Sequence, residues 1–296
     1  MTDALEWQGR VGDVWADEWR LTDLSFAPLA RALDAAIAAA APTQGRALDI
    51  GCGAGVTTLA LAATRPGLNI LGVDLSERLV AVARSRGKER AKVAFRVGDA
   101  SRLGSEIGES ERFDLAFSRH GVMFFADPPA AFSGIGEVLR PGASLVFSCF
   151  AELGRNPWVT DIAKVIGSDD PIASPNWEGT FAQDGPGAKY QPGPFAFADP
   201  LLVREILERG GFVPGEPQRI DFAYRVGEGD DHVAQALHFF QRIGPAARML
   251  ATVDPTKRVT IKERLAAFLA ERARDGVVEF PASAWIWTAR TKGEGQ

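Results

Sequence analysis

Five residues constrain this chain more than any others: Gly51-Cys52-Gly53-Ala54-Gly55. They follow the short apolar run 46–50 with no spacer and lead at once into the Ala- and Leu-rich run 56–63. Glycines allow a tight turn and close approach of the backbone to a ligand. The N-terminus of the helix that follows adds partial positive charge. The pattern predicts a strand, a tight turn and a helix, with a ligand at the turn. The triphosphate version of such a turn needs a Lys, and none stands here. The dinucleotide version needs a third glycine at position 56, where the chain has Val56. The glycine falls instead at Gly55, and Asp49 stands two residues ahead of Gly51.

Downstream of the turn the same alternation continues. Strands are predicted over 69–73, 92–97, 113–117 and 143–150. Ser76 is suited to cap a helix reaching about Arg86. Asp127-Pro128 offers a cap and a first-turn proline to a helix that aligns Ala131, Ile135, Val138 and Leu139. Strand-to-helix units repeated in one direction imply a parallel sheet with right-handed crossovers. Before this unit, Gly9 and Gly12 are expected to break the tryptophan-rich segment 1–25, and a helix is expected over roughly 26–41.

Three stretches interrupt the pattern. Residues 1–45 carry Trp7, Trp15 and Trp19, which read either as packing or as a lid over a ligand. Residues 151–198 hold six Pro and six Gly, too many for long regular elements beyond a helix near 156–166. Residues 227–279 read as helical, with Asp254-Pro255 opening one of the helices. Between the last two, Asp199-Pro200 caps a helix and 218–226 reads as a strand. Residues 280–290 form a last strand, with Trp285 and Trp287 on one side. The organisation expected is an N-terminal helical lid (1–45), a core (46–150), a cap insertion (151–198), a further core helix and strand (199–226), a helical cap insertion (227–279) and a final strand with its tail (280–296).

Composition excludes several function classes. A net charge of −5 argues against a nucleic-acid-binding surface. Two cysteines, Cys52 and Cys149, make neither a disulfide framework nor a four-thiolate zinc site. His120, His232 and His238 have no metal-ligand spacing, so no bound metal is expected. Neither a secretory leader nor an apolar run long enough for a membrane span is visible, and a cytoplasmic protein is expected.

The turn, taken with later segments, resembles the class I S-adenosylmethionine-dependent methyltransferases. Leu48-Asp49-Ile50-Gly51-Cys52-Gly53-Ala54-Gly55 looks like their first motif. Gly72-Val73-Asp74-Leu75-Ser76, Gly98-Asp99-Ala100, Phe113–Ser118 and Leu139-Arg140-Pro141-Gly142 are similar to the family's later segments, in order. The likeness is nearest to the small-molecule group that includes ubiquinone and menaquinone C-methylases. It implies an α/β, Rossmann-like, seven-stranded, mostly parallel sheet of order 3-2-1-4-5-7-6 with strand seven antiparallel, carrying helical and loop caps.

The resemblance also implies site roles, with S-adenosylmethionine as cofactor and S-adenosylhomocysteine as product. Asp74 would accept the ribose diol, Leu75 would lie on the adenine, and Asp99 and Ala100 would meet the adenine edge. Asp49, Gly51 and Ser118 would hold the methionine end, with Cys52, Gly53 and Gly55 shaping the turn and Trp15 and Arg119 beside it. His120, just after strand four, is the candidate base; its alternative is a polar residue lining the pocket. Phe124, Trp158, Trp177, Phe181 and His238 are candidates for the substrate pocket, which favours a small apolar or aromatic acceptor. Two other functions stay open: a silent cofactor-binding or scaffold protein, and an NAD(P)-dependent oxidoreductase. The acceptor atom and the choice between monomer and homodimer also stay open.

Overall fold

The glycine turn lies at the centre of a sheet edge. In a computed structural model, which describes residues 4–105, 111–167 and 190–293, β1 (Gly45–Ile50) is flanked by β2 (Leu68–Asp74) and β4 (Phe113–Arg119). β3 (Val93–Val97) pairs with β2, and β5 (Leu139–Phe150) with β4, all parallel. β8 (Val277–Thr291) runs antiparallel to β5. Its outer edge carries both β6 (Phe212–Pro214) and β7 (Gln218–Glu228). The order is β3-β2-β1-β4-β5-β8, then β6 and β7. This is the mixed Rossmann-like sheet the sequence implied, with the outermost position divided. The division has a local cause. Pro214 pairs with Ala289 and Gln218 with Ile286, so the edge strand spends one residue more than β8 over the gap. Pro217 in that gap has no N–H to give a ladder.

Buried positions follow the expected periods. β1 buries Ala47, Leu48, Asp49 and Ile50 in succession, the pattern of a strand covered on both faces. α4 (Val56–Thr64) starts from Gly55, whose φ of 82° a side chain would resist. α5 (Glu77–Gly87) is capped by Ser76 Oγ accepting from Leu79 N at 3.3 Å. α6 (Pro128–Glu137) is capped by Asp127, and the later helix α8 (Pro200–Arg209) by Asp199.

Three sequence expectations need correction. The N-terminal segment is broken at Gly9, between α1 (Ala4–Gln8) and α2 (Arg10–Asp17), but not at Gly12, which lies inside α2. A Cβ on Gly12 would clash with the Trp7 carbonyl of α1 and come within 2.5 Å of Ser76 Oγ, so the glycine lets α2 pack closely against both α1 and the turn after β2. α3 (Trp19–Ala40) begins well before residue 26 and runs through Pro28, held to the core by Leu29, Leu33 and Ile37. Tertiary burial of that stripe outweighs the lost hydrogen bond. Asp254 does not open a helix. It accepts from Thr256 N and Oγ1 and closes a turn, and α11 (Arg258–Arg272) follows it.

α3 packs on β4, β5, β7 and β8. α9 (His232–Arg242) also packs on β7. α7 (Pro157–Gly167) meets α10 (Gly244–Thr252), α11 and β8. The buried amide of Asn156 pins the start of α7. Its Nδ2 donates to the carbonyls of Ala151, Glu152 and Ser283, and its Oδ1 accepts from Ser283 N and Trp158 Nε1.

Candidate active site

Carboxyl ends of β1, β2, β4 and β5 converge on the turn. Gly51, Gly53 and Gly55 all have positive φ, at 65°, 52° and 82°. Gly51 N and Cys52 N both donate to Val73 O, which ties the turn to the end of β2. Asp74 closes the tie: its Oδ2 accepts from Gly53 N at 2.8 Å and its Oδ1 from Ser76 N at 2.9 Å. The Leu75 backbone also donates to this carboxylate. A Cβ on Gly53 would meet nothing within 4 Å, so the turn faces open space there. Burial raises the Asp74 carboxyl, and the backbone hydrogen bonds pull it back down.

Asp49 is 1% exposed, and its Oδ2 accepts from Thr58 Oγ1 at 2.5 Å. Burial holds its carboxyl up to about 7 against the Thr58 hydrogen bond and the Arg119 charge. A cation bound there would bring it back to the carboxylate. Ser118 Oγ donates to Ile50 O at 2.7 Å and accepts from Gly121 N, tying the end of β4 to the end of β1. Leu75 is half-buried and Ala100 buried. Asp99 Oδ1 accepts from Ser101 N and Ser101 Oγ, which caps the turn at 100–105 and leaves Oδ2 toward Arg102 at 3.5 Å. Cys52 is buried, and burial with the neighbouring carboxylates pushes its thiol up, so it packs rather than attacks.

The N-terminal helices meet this edge directly. Trp15 and Trp19 pack with Ala16 and Leu79 around Ala54 of the turn. Trp7 bridges Trp15 and Phe124, with ring centroids at 5.5 and 5.1 Å. Asp23 on α3 accepts both Arg86, at 2.9 Å, and Arg119, at 3.2 Å. Arg86 also donates to Ala54 O and lies over the Trp19 ring. Sequence reasoning missed Asp23, Thr58, Phe26, Ser148 and Tyr224. Nothing local marks them, since each gains its role from a partner in a distant segment.

His120 follows β4 with φ of 59°, a left-handed conformation that costs a side-chain-bearing residue about 1 kcal/mol. Its Nδ1 is 2.8 Å from Ser148 Oγ. Its ring lies 4.8 Å from Phe26 and 4.5 Å from Phe150. Burial, then the Arg119 charge, lowers it to about 3. The ring is therefore neutral at pH 7 and a poor proton acceptor, which weakens its expected role as a base. Phe150 continues into Trp158, which stacks on Tyr224 at 4.8 Å.

Of the expected substrate residues, Phe124 and Trp158 stand at this edge. His238 does not. It is half exposed on α9, with Nε2 2.9 Å from Glu18. Trp177 and Phe181 lie outside the described residues. Among the described residues no group of three or more His, Cys, Asp or Glu is placed to hold a metal ion. No helix among them is long and apolar enough to cross a membrane.

Residues 48–147, from β1 into β5, match the family model described as "Methyltransferase domain". The segment that matches is the one that holds the turn, Asp74 and His120. Over these residues the chain is similar to a methyltransferase domain. The chain is 33% identical over 113 residues to a ubiquinone biosynthesis O-methyltransferase of Hahella chejuensis, covering 38% of this chain and 44% of that protein. An O-methyltransferase of Pyrenophora dematioidea is 31% identical over 137 residues, covering 45% of each. The chain thus spans about half the length of such relatives, or less. Among solved structures, the YcgJ protein of Bacillus subtilis superposes with a TM-score of 0.52 at 17% identity, covering 88% of this chain and 98% of that one. Phosphoethanolamine N-methyltransferase 2 of Haemonchus contortus, solved with phosphomonomethylethanolamine and S-adenosylhomocysteine, gives 0.51 at 20% identity, covering 95% and 57%. These two likenesses show the fold of the chain.

Proposed function

We propose that the protein transfers a methyl group from S-adenosylmethionine to a small apolar or aromatic molecule. One observation carries this reading: inside the matched segment, the Asp74 carboxylate at the end of β2 grips the Gly53 N–H of the glycine turn, where a Cβ on Gly53 would meet nothing within 4 Å. That arrangement suits a ribose diol. Arg119 Nη1 and His120 Nε2, buried at the end of β4 without partners among the described residues, fit a polar ligand at the adjoining position. When bound, S-adenosylmethionine supplies a methyl group activated by its sulfonium charge.

The chain's own residues do the rest. Asp49 and the Gly51 and Ser118 backbone hold the amino-acid end, and Leu75, Asp99 and Ala100 hold the base. Cys52 and Gly55 shape the turn between them. Trp15, held by Trp7, covers the turn and excludes water. Phe124 and Trp158 line the acceptor side, and Trp177 and Phe181 remain candidates there. Residues 1–45, 151–198 and 227–279 act as lid and caps over the sheet edge, in a cytoplasmic enzyme. The names of the O-methyltransferase relatives support an oxygen acceptor.

Titration calorimetry tests the reading. S-adenosylhomocysteine is expected to bind at micromolar concentration, and neither NAD nor NADP to compete with it. Tight NAD(P) binding without S-adenosylhomocysteine binding sinks the proposal.

A further inference from the structure

We propose that Ser148 holds His120 in the tautomer whose Nε2 carries the proton, and that this N–H and Arg119 Nη1 together dock a negatively charged oxygen of the acceptor. This rests on the methyltransferase reading and replaces a proton-abstracting histidine with a donor.

Hydrogen-bond accounting sets the tautomer. Ser148 Oγ and His120 Nδ1 are 2.8 Å apart and fully buried, and no other acceptor for the Ser148 hydroxyl is found among the described residues. If the hydroxyl donates to Nδ1, its proton is used and the imidazole proton sits on Nε2. If Nδ1–H donates instead, the hydroxyl proton is stranded in the core and the Nε2 lone pair is stranded too. The first arrangement leaves one group unpaired, the second leaves two. The backbone reinforces the pairing. Ser148 sits opposite Arg119 in the β4–β5 register, His120 N donates to Ser148 O, and the left-handed turn at His120 swings its ring back over β5.

Two donors then stand against one ring, that of Phe26. His120 Nε2 and Arg119 Nη1 are both buried without a partner among the described residues. Both side chains flank the ring of Phe26, His120 at 4.8 Å between ring centroids and the Arg119 Cζ at 5.3 Å. Asp23 takes only the other Arg119 terminal nitrogen. The titratable groups around them are Asp23 and Asp34 on α3, Asp49 on β1, Arg119 on β4 and Tyr224 on β7. Tyr224 is buried, with its hydroxyl turned to Ser25. Two unpaired donors, one cationic, in an aromatic surround are complementary to an oxyanion on a flat ring, such as a phenolate. An acceptor that enters ionised has left its proton in solvent, so no base is required of His120. Its low proton affinity keeps the donor tautomer neutral through the physiological range.

The chain has three histidines, so long-range proton–nitrogen correlation spectra of histidine-labelled protein resolve each ring. His120 is expected to show a protonated Nε2 and an unprotonated Nδ1, unchanged down to about pH 5. Ser148→Ala is expected to release that preference and Ser148→Thr to keep it. With saturating S-adenosylhomocysteine at pH 8, 4-nitrophenolate is expected to shift the Nε2–H resonance saturably, while 4-nitroanisole leaves it in place. Arg119→Met is expected to weaken 4-nitrophenolate at least ~10-fold, the loss of one charge-assisted hydrogen bond. A protonated Nδ1 in the wild type overturns the tautomer without any variant having to fold. An unmoved resonance with 4-nitrophenolate overturns the oxyanion subsite. Failure of S-adenosylhomocysteine to bind by calorimetry would sink the methyltransferase reading instead, and the tautomer, read on the free protein, is decided separately.

Discussion

Asp49→Asn should convert a pH-dependent fold into a nearly flat one. Asp49 is 1% exposed, and its carboxyl stands at about 7 in the fold against 3.8 ordinarily. A raised carboxyl favours the folded state only while it is protonated in both states. That contribution is complete below about pH 4, is lost progressively as the pH climbs to 7, and changes little above it. Worked through the linkage relation, the wild type loses about 2.5 kcal/mol from this one group between about pH 5 and about pH 8. An asparagine still accepts the Thr58 hydroxyl and has nothing to ionise. Urea unfolding at the two pH values, followed by tryptophan fluorescence, should therefore show the stability difference swinging toward the variant by about 2.5 kcal/mol. Comparing the swing cancels any constant cost of packing the amide. The ligand should reverse the preference, because an ammonium beside Asp49 favours the carboxylate. Wild-type affinity for S-adenosylhomocysteine should rise roughly 10-fold per pH unit up to about 7 and then level off. A swing below about 0.5 kcal/mol, together with a flat affinity profile, would refute the buried-carboxyl argument.

The remaining predictions concern the turn, the lid and the α7 anchor. Asp74→Ala strands the Gly53 and Ser76 N–H groups, and calorimetry should show S-adenosylhomocysteine affinity reduced by roughly 100-fold; unchanged affinity removes Asp74 from the site. Gly12→Leu puts carbon within 2.5 Å of Ser76 Oγ and should lift α2 from the β2 turn, at a cost of about 1–3 kcal/mol. Limited proteolysis should then cut the N-terminal helices faster, and an unchanged digestion pattern would show that α2 does not need that close approach. Asn156→Ala abandons three carbonyls, the Ser283 N–H and the Trp158 indole N–H, and should cost about 3–5 kcal/mol by urea unfolding; a loss under about 1 kcal/mol would mean that water replaces the amide.

How far the site could be read in advance depended on chain distance. Asp49, Gly51, Gly53, Gly55 and Asp74 announce themselves because glycine conformation and strand-end acids are local requirements of the turn. Asp99 is ambiguous even in the structure, since the turn it caps uses the same carboxyl oxygen that a hydrogen-bond donor would seek. His238 was attractive beside Phe239 and Phe240. Helical spacing sends those rings inward and leaves the imidazole on the surface against Glu18. His120 was found from its place after a strand, yet its properties were not, because Ser148, Phe26, Phe150 and Arg119 set them from four different positions.

By itself the amino-acid order determined the alternation of strands and helices, the turn that can meet a ligand, and the parallel core. Those follow from backbone preference and the period of apolar residues, which act over a few neighbours. Only the tertiary structure decided that α3 runs through Pro28, that Gly12 admits a helix to the β2 turn, and that the edge strand divides at Pro214–Gln218. It alone set the protonation of Asp49 and His120 as well. Burial and unpaired polar groups carry free energies of several kcal/mol that exist only once distant segments have closed around them.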